Sequence, residues 1–165
     1  IFTGELIASS GKRYSLIGRL RVRVGYGDFL CVHGSPRRPI NEYLFPEDAI
    51  NSPVKMQQAF DRVTEFCLVG HTHVPGVFTD EPDFYPPEDL GGIYKLNDNE
   101  RAIINPGSVG QPRDLDPRAS YAILDHEAGQ VEFHRLEYDI DTVVDKIYAI
   151  PELSNWLGDR LREGR

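Results

Sequence analysis

The sequence predicts a layered α/β fold, and three observations predict it. Three apolar runs each end abruptly in a polar, glycine-containing turn, as strands buried on both faces do. Two further segments alternate apolar and polar residues around a tight turn. Near the end of the chain, apolar residues recur at helical spacing. Strands mixed with a few helices, with loops at the strand ends, favour layers over a bundle or a pure sandwich.

The elements follow in order. Leu20-Arg21-Val22-Arg23-Val24 alternates apolar and basic residues and predicts a half-exposed strand, closed by turn chemistry at Gly25-Tyr26-Gly27-Asp28. Phe29 to His33 predicts a buried strand. Residues 34–53 are rich in Pro, Asn and charge and predict mostly loop. Ala59, Phe60 and Val63 are spaced for a short helix over Val54 to Val63. Phe66 to Val69 predicts a second buried strand. The acidic, Pro- and Gly-punctuated stretch from Pro75 to Gly92 predicts a solvated loop. Short strands are expected at Gly92 to Leu96 and Ala102 to Ile104. A hairpin is expected from Ser120 to Asp125 and Gln130 to Leu136, turning at Glu127 to Gly129. Ile140, Val143, Val144 and Ile147 mark one amphipathic helix. Leu153, Trp156, Leu157 and Leu161 mark another, and both are expected to bury a face against a sheet.

Composition bounds the function. The chain has 165 residues, enough for one domain with a sizeable core, and 40% hydrophobic against 27% charged residues argues against disorder. Its net charge is −8, the wrong sign for a general nucleic-acid or acidic-membrane binder. No apolar run nears the ~18 residues that span a bilayer, and no secretory signal is visible. Cys31 and Cys67 sit inside apolar runs and read as buried thiols of a cytoplasmic protein. The chain begins Ile1-Phe2-Thr3 and its one methionine is Met56, so it is expected to be a processed product or a fragment.

The chemistry gathers where the apolar runs stop: Val32-His33-Gly34-Ser35-Pro36, Val69-Gly70-His71-Thr72-His73 and Ile104-Asn105-Pro106-Gly107-Ser108-Val109. Carboxyl ends of sheet strands are where α/β folds collect ligands. Imidazole is a favoured ligand of transition metals, and an adjacent glycine lets the backbone bend and a ligand approach closely. His71 and His73 lie just past a strand end, where a pair two residues apart can address two neighbouring metals. For His33 alone an incidental polar turn is the stronger reading; for three histidines at two such ends, metal binding is. His126, in a hairpin turn, and His134, in an alternating strand, read as surface or packing residues.

These motifs, in this order, resemble the C-terminal half of a calcineurin-like metallophosphoesterase, a family of dinuclear-metal phosphatases and phosphodiesterases. The family carries V-H-G, then G-H-x-H, then N-P-G-S, matched here from about Asp28 to Leu136. Gly107 to Arg113, followed by Ala119-Ser120-Tyr121-Ala122, resembles its small bacterial branch. The resemblance implies part of a four-layer α/β/β/α sandwich, a mixed sheet with C-terminal helices, in one domain spanning residues 1–165. It implies that His33 and His71 serve one metal and His73 the other. Asn105, Gly107 and Ser108 correspond to a structural turn beside the site. Arg113, and more weakly Arg37 and Arg38, are candidates for substrate phosphate, with a surface salt bridge as the alternative.

The family's earlier motifs, D-x-H, G-D-x-x-D and G-N-H-D/E, are not found; Gly27-Asp28 and Gly158-Asp159 lack the second aspartate. The bridging carboxylate, the asparagine ligand and the catalytic histidine therefore have no counterpart, and the catalytic residue is expected in an N-terminal half that precedes Ile1. The expected activity is hydrolysis of phosphomonoesters or phosphodiesters by the full-length protein, with two divalent metals that the sequence does not distinguish among Mn, Fe, Zn, Co and Ni. The fragment alone is expected to be inactive. Its expected partners are a small phosphoester or phosphoprotein substrate and the N-terminal half, with no membrane and no general nucleic-acid binding. The alternative is a non-catalytic binding or scaffold domain that keeps the fold.

Overall fold

The computed structural model describes residues 21–97 and 99–165. Their centre is a mixed six-stranded sheet in the order β1-β2-β3-β7-β4-β5. β2 (Phe29–Val32), β3 (Phe66–Leu68) and β7 (Ala102–Asn105) run parallel and adjacent, with Cys31 opposite Leu68 and Leu68 opposite Ile104. β1 (Arg23–Tyr26) pairs antiparallel with β2 on one side. On the other side, β4 (Gly76–Thr79) and β5 (Asp83–Tyr85) continue the sheet antiparallel. A second, antiparallel sheet has the order β6-β9-β8, from β6 (Ile93–Lys95), β8 (Ala119–Asp125) and β9 (Gln130–Leu136).

Side-chain alternation along the central strands builds two cores. Cys67, Phe78 and Ile103 point to one face, where they meet Met56, Ala59 and Phe60 of α2 (Pro53–Phe60) and Ala49 of α1 (Asp48–Asn51). Phe66, Val77 and Ile104 point to the other and meet Tyr94 and Val131 of the second sheet. The layers are thus helix, sheet, sheet, with each large buried side chain contributing about 1.5–3 kcal/mol. Continuous apolar runs are what a sheet covered on both faces requires.

Two helices close the chain. α3 (Ile140–Tyr148) is capped by Asp139, whose side chain accepts from the Thr142 amide, and α4 (Trp156–Glu163) ends at Gly164 in the left-handed conformation.

The structure corrects several sequence expectations. The stretch from Pro75 to Gly92 is not all loop: β4 is buried along its whole length between the two cores, and β5 pairs with it. The first strand begins at Arg23 and takes in Gly25 and Tyr26, leaving only Gly27-Asp28 to turn; Leu20 lies outside the described residues. The stretch 34–53 is mostly loop as expected, with α1 as its one short helix. The principal neighbour of α3 is α4 rather than a sheet. Their contact centres on buried Val144 and Gly158, where an added Cβ would lie 3.1 Å from Val144. Trp156 is 57% exposed, with the Arg160 guanidinium 4.4 Å above its ring, and Leu153 precedes the helix and is exposed.

Candidate metal centre

Because β2, β3 and β7 are parallel, their carboxyl ends come out side by side. The pairing continues past the strands: the Val69 amide donates to the Ile104 carbonyl and the Gly70 amide to the His33 carbonyl, both at 2.9 Å. This fixes His33 beside the Gly70 to His73 segment. There the His71 Nδ1 and the His33 Nε2 lie 2.9 Å apart. One ring nitrogen donates to the other at this distance, so two side chains 38 residues apart in sequence meet directly.

His71 and His73 both have positive φ, 68° and 62°. Left-handed backbone is unfavourable for residues with a Cβ and persists where surroundings enforce it. The enforcing group is Asn105, buried at the end of β7. Its Nδ2 donates to the Gly70 carbonyl (3.0 Å) and to Thr72 Oγ1 (2.7 Å), while its Oδ1 accepts from the Gly107 amide (3.0 Å). Gly107 has φ 81°, and an added Cβ would lie 2.5 Å from Ser120 Oγ. Ser108 Oγ accepts from the amides of Gly110 and Gln111 and so carries the chain to Gln111. Asn105, Gly107 and Ser108 thus form a turn beside the histidines.

His73 turns away from the pair: its Nδ1 lies 2.7 Å from the Gln111 carbonyl oxygen. A carbonyl only accepts, so Nδ1 carries the proton and Nε2 keeps a free lone pair. All three histidines have pKa values lowered from the ordinary imidazole range, first by burial. For His33 the His71 charge adds to this. For His71 and His73 the Arg113 charge adds, against backbone hydrogen bonds with Asn41 and Gln111. Neutral imidazole at physiological pH is the ligating form.

The arginines differ. Arg113 donates Nε and Nη2 to Gln111 Oε1 at 3.0 and 2.6 Å, its amide donates to the His73 carbonyl at 3.3 Å, and its charge acts on His71 and His73. Arg37 is held elsewhere: its Nε and Nη2 grip Glu42, and its Nη1 reaches Gln58. Arg38 is exposed, and its amide donates to buried Ser35 Oγ at 2.9 Å. His126 lies near Tyr26 and Phe29, and His134 stacks on Tyr121, both away from the site.

Sequence reasoning missed Tyr43, whose ring stacks 3.9 Å from His71, and the Ser35–Glu42–Arg37 cluster that stiffens the loop after His33. Both lie in an aperiodic, Pro-rich loop, where no spacing marks one side chain over another.

The donor set fits one metal better than two. With metal–nitrogen bonds of about 2.1 Å, two imidazoles on a tetrahedral ion sit about 3.4 Å apart, so the His33–His71 pair needs to open by only about half an ångström. Among the described residues, no group of three or more His, Cys, Asp or Glu side chains is placed to hold a metal. Asp114 is paired to Arg135, Asp116 to Arg118 and Glu42 to Arg37.

Comparison with known proteins shows the family and the fold. Residues 8–129 match the model of the calcineurin-like phosphoesterase superfamily domain. An uncharacterized protein of Methanocaldococcus jannaschii is 40% identical over 134 residues, which are 81% of this chain and 50% of that protein. The crystal structure of a metallophosphoesterase from Sphaerobacter thermophilus superposes with a TM-score of 0.83 at 37% identity, covering 95% of this chain and 63% of that one. A hypothetical protein from Pyrococcus horikoshii shares the fold, with a TM-score of 0.68 at 19% identity over 93% of this chain and 55% of that one. The chain thus spans about half the length of the curated relative that it matches.

Proposed function

This chain belongs to the calcineurin-like phosphoesterase superfamily, and we propose that it supplies the histidine side of a metal centre that hydrolyses phosphomonoesters or phosphodiesters. Carrying the proposal is the meeting of His33 Nε2 and His71 Nδ1 at 2.9 Å, at the ends of adjoining parallel strands. In it, His33 and His71 hold one divalent metal and His73, through its free Nε2, a second.

Bound divalent metals lower the pKa of a coordinated water and neutralise charge on phosphoryl oxygens. The chain's own residues do the rest. The hydrogen bonds of Asn105 hold the histidine loop in its strained shape before a ligand arrives, so little ordering remains to be done on binding. Arg113, clamped by Gln111, meets a phosphoryl oxygen through the outer edge of its guanidinium. Gln111 also fixes the tautomer of His73. Two close dications need anionic ligands between them. In the proposed centre these come from the N-terminal half of the family's domain, which the resemblance places before these motifs.

One observation favours the second reading, a non-catalytic scaffold: the described residues alone do not complete a metal cluster. Hydrolysis of bis(p-nitrophenyl) phosphate with Mn²⁺ separates the two. The full-length protein should turn over, lose activity to near background with His71→Ala or His73→Ala, and outperform the 165-residue chain alone. A full-length protein with no turnover, or with turnover untouched by both substitutions, would leave the scaffold.

A further inference from the structure

Beside the histidine pair lies an open cleft of about 710 Å³, a size that suits a small-molecule ligand. Thr72, between the two loop histidines, is part of its wall, so cleft and histidine locus are continuous. Tyr43 and Phe45 also line it. Their rings are parallel within 4° at 5.2 Å, and Tyr43 stacks in turn on His71. Both rings remain open to solvent, Tyr43 at 37% and Phe45 at 47%.

Arg113 and Arg160 line the same cleft. Neither forms a salt bridge with an Asp or Glu side chain among the described residues, whereas Asp114, also in the lining, is taken by Arg135. Arg160 lies over the Trp156 ring and donates to the Arg165 carbonyl. Burial and the Arg113 charge both push its pKa down, so the two guanidiniums repel each other. Glu47 is the remaining acid of the lining. In a chain of net charge −8, two cations that no Asp or Glu side chain pairs among the described residues, beside two stacked rings, make a surface complementary to an aromatic anion.

We propose that this cleft is the leaving-group side of the metal locus and takes a phosphoester whose leaving group carries a planar aromatic ring, stacked on Phe45 at the outer end of the His71–Tyr43–Phe45 stack, with Arg113 and Arg160 on its anionic oxygens. This rests on the phosphoester reading above. Hydrolysis adds one water across a P–O bond, releasing a phosphate and the hydroxyl compound that bears the ring. The cleft thereby selects the alcohol half of the ester, while the histidines face the phosphorus half.

The test is binding to the 165-residue chain by calorimetry in EDTA, with phenyl phosphate, AMP and glycerol 3-phosphate as probes. At least one aromatic phosphate should bind about tenfold or more tightly than glycerol 3-phosphate. Phe45→Ala, and Phe45→Leu, which keeps apolar volume without a ring, should remove that difference and leave glycerol 3-phosphate unchanged. Arg160→Gln should weaken all three. Preference for AMP assigns the ring to a nucleobase; preference for phenyl phosphate assigns it to a simple aryl group. Equal affinities for aromatic and glycerol phosphates, or no binding of any, would overturn the subsite. Mn²⁺ titration of the same chain reports on the metal reading alone. Aromatic preference without Mn²⁺ uptake keeps the subsite and removes the metal reading; Mn²⁺ uptake without aromatic preference does the reverse.

Discussion

Asn105 Nδ2 donates to Thr72 Oγ1 at 2.7 Å, joining the buried end of β7 to the one residue between His71 and His73. The same nitrogen reaches the Gly70 carbonyl, and Oδ1 holds the Gly107 amide, so one side chain ties both turns of the site. Asn105→Ala leaves these groups without partners in a water-poor position. It should destabilise the fold by about 2–4 kcal/mol in urea unfolding. A loss below ~0.5 kcal/mol would show that the turns hold themselves.

Gly107 and Gly110 provide a matched pair. Gly107 has φ 81°, and a Cβ there meets Ser120, whose Oγ donates to the Pro106 carbonyl. Gly110 has open space around it. Gly107→Ala should cost at least about 2 kcal/mol, combining strain and clash, whereas Gly110→Ala should stay within about 0.5 kcal/mol. Equal costs in thermal or urea unfolding would show that the turn is not rigid.

The C-terminal helices give a contrast in burial. Val144 is fully buried and Trp156 mostly exposed. Val144→Ala should cost about 1–3 kcal/mol, and Trp156→Ala less than about 1 kcal/mol. The reverse order would place Trp156, not Val144, at the helix contact.

These contrasts show what the sequence carries. β2, β3 and β7 are legible because their apolar runs are unbroken and stop at polar turns. β4 is not, because Gly76–Thr79 is four residues between Pro75 and Asp80, and the surrounding prolines and acids outweigh it. For α4 the expected face holds at Leu157 and Leu161 but fails at Leu153 and Trp156. Leu157, Gly158 and Leu161 are the more buried positions and Trp156 begins the helix, since spacing does not reveal that a glycine is the contact. Histidine placement is legible from the strand-end motifs. The stacking of Tyr43 on His71 is not, because it depends on how an aperiodic loop folds back.

Glu42 links the loop after His33 to pH. Burial raises its pKa, but hydrogen bonds from Arg37 and Ser35 and the nearby cations outweigh this and hold it below the usual carboxylate value. The folded chain therefore binds this proton less readily than the unfolded one. The stabilisation is present above the unfolded pKa of about 4.3 and is lost as pH falls through the folded value. The stability difference between wild type and Glu42→Gln should be largest near pH 7 and shrink steadily below about pH 4 in urea unfolding. A difference independent of pH would mean that the charge of Glu42 is not what stabilises the loop.

Whether the strand-end histidines form a metal site is answered most directly by calorimetric titration of the chain with Zn²⁺ and Mn²⁺ at pH 7.5. Wild type should bind no more than one ion tightly, because among the described residues no group of three or more His, Cys, Asp or Glu side chains is placed to hold a metal. His33→Ala and His71→Ala should each abolish that binding, since their nitrogens meet at 2.9 Å. His126→Ala, in a remote hairpin turn, should leave it intact. Equal losses from His33→Ala and His126→Ala, or two tight ions per chain, would contradict the site.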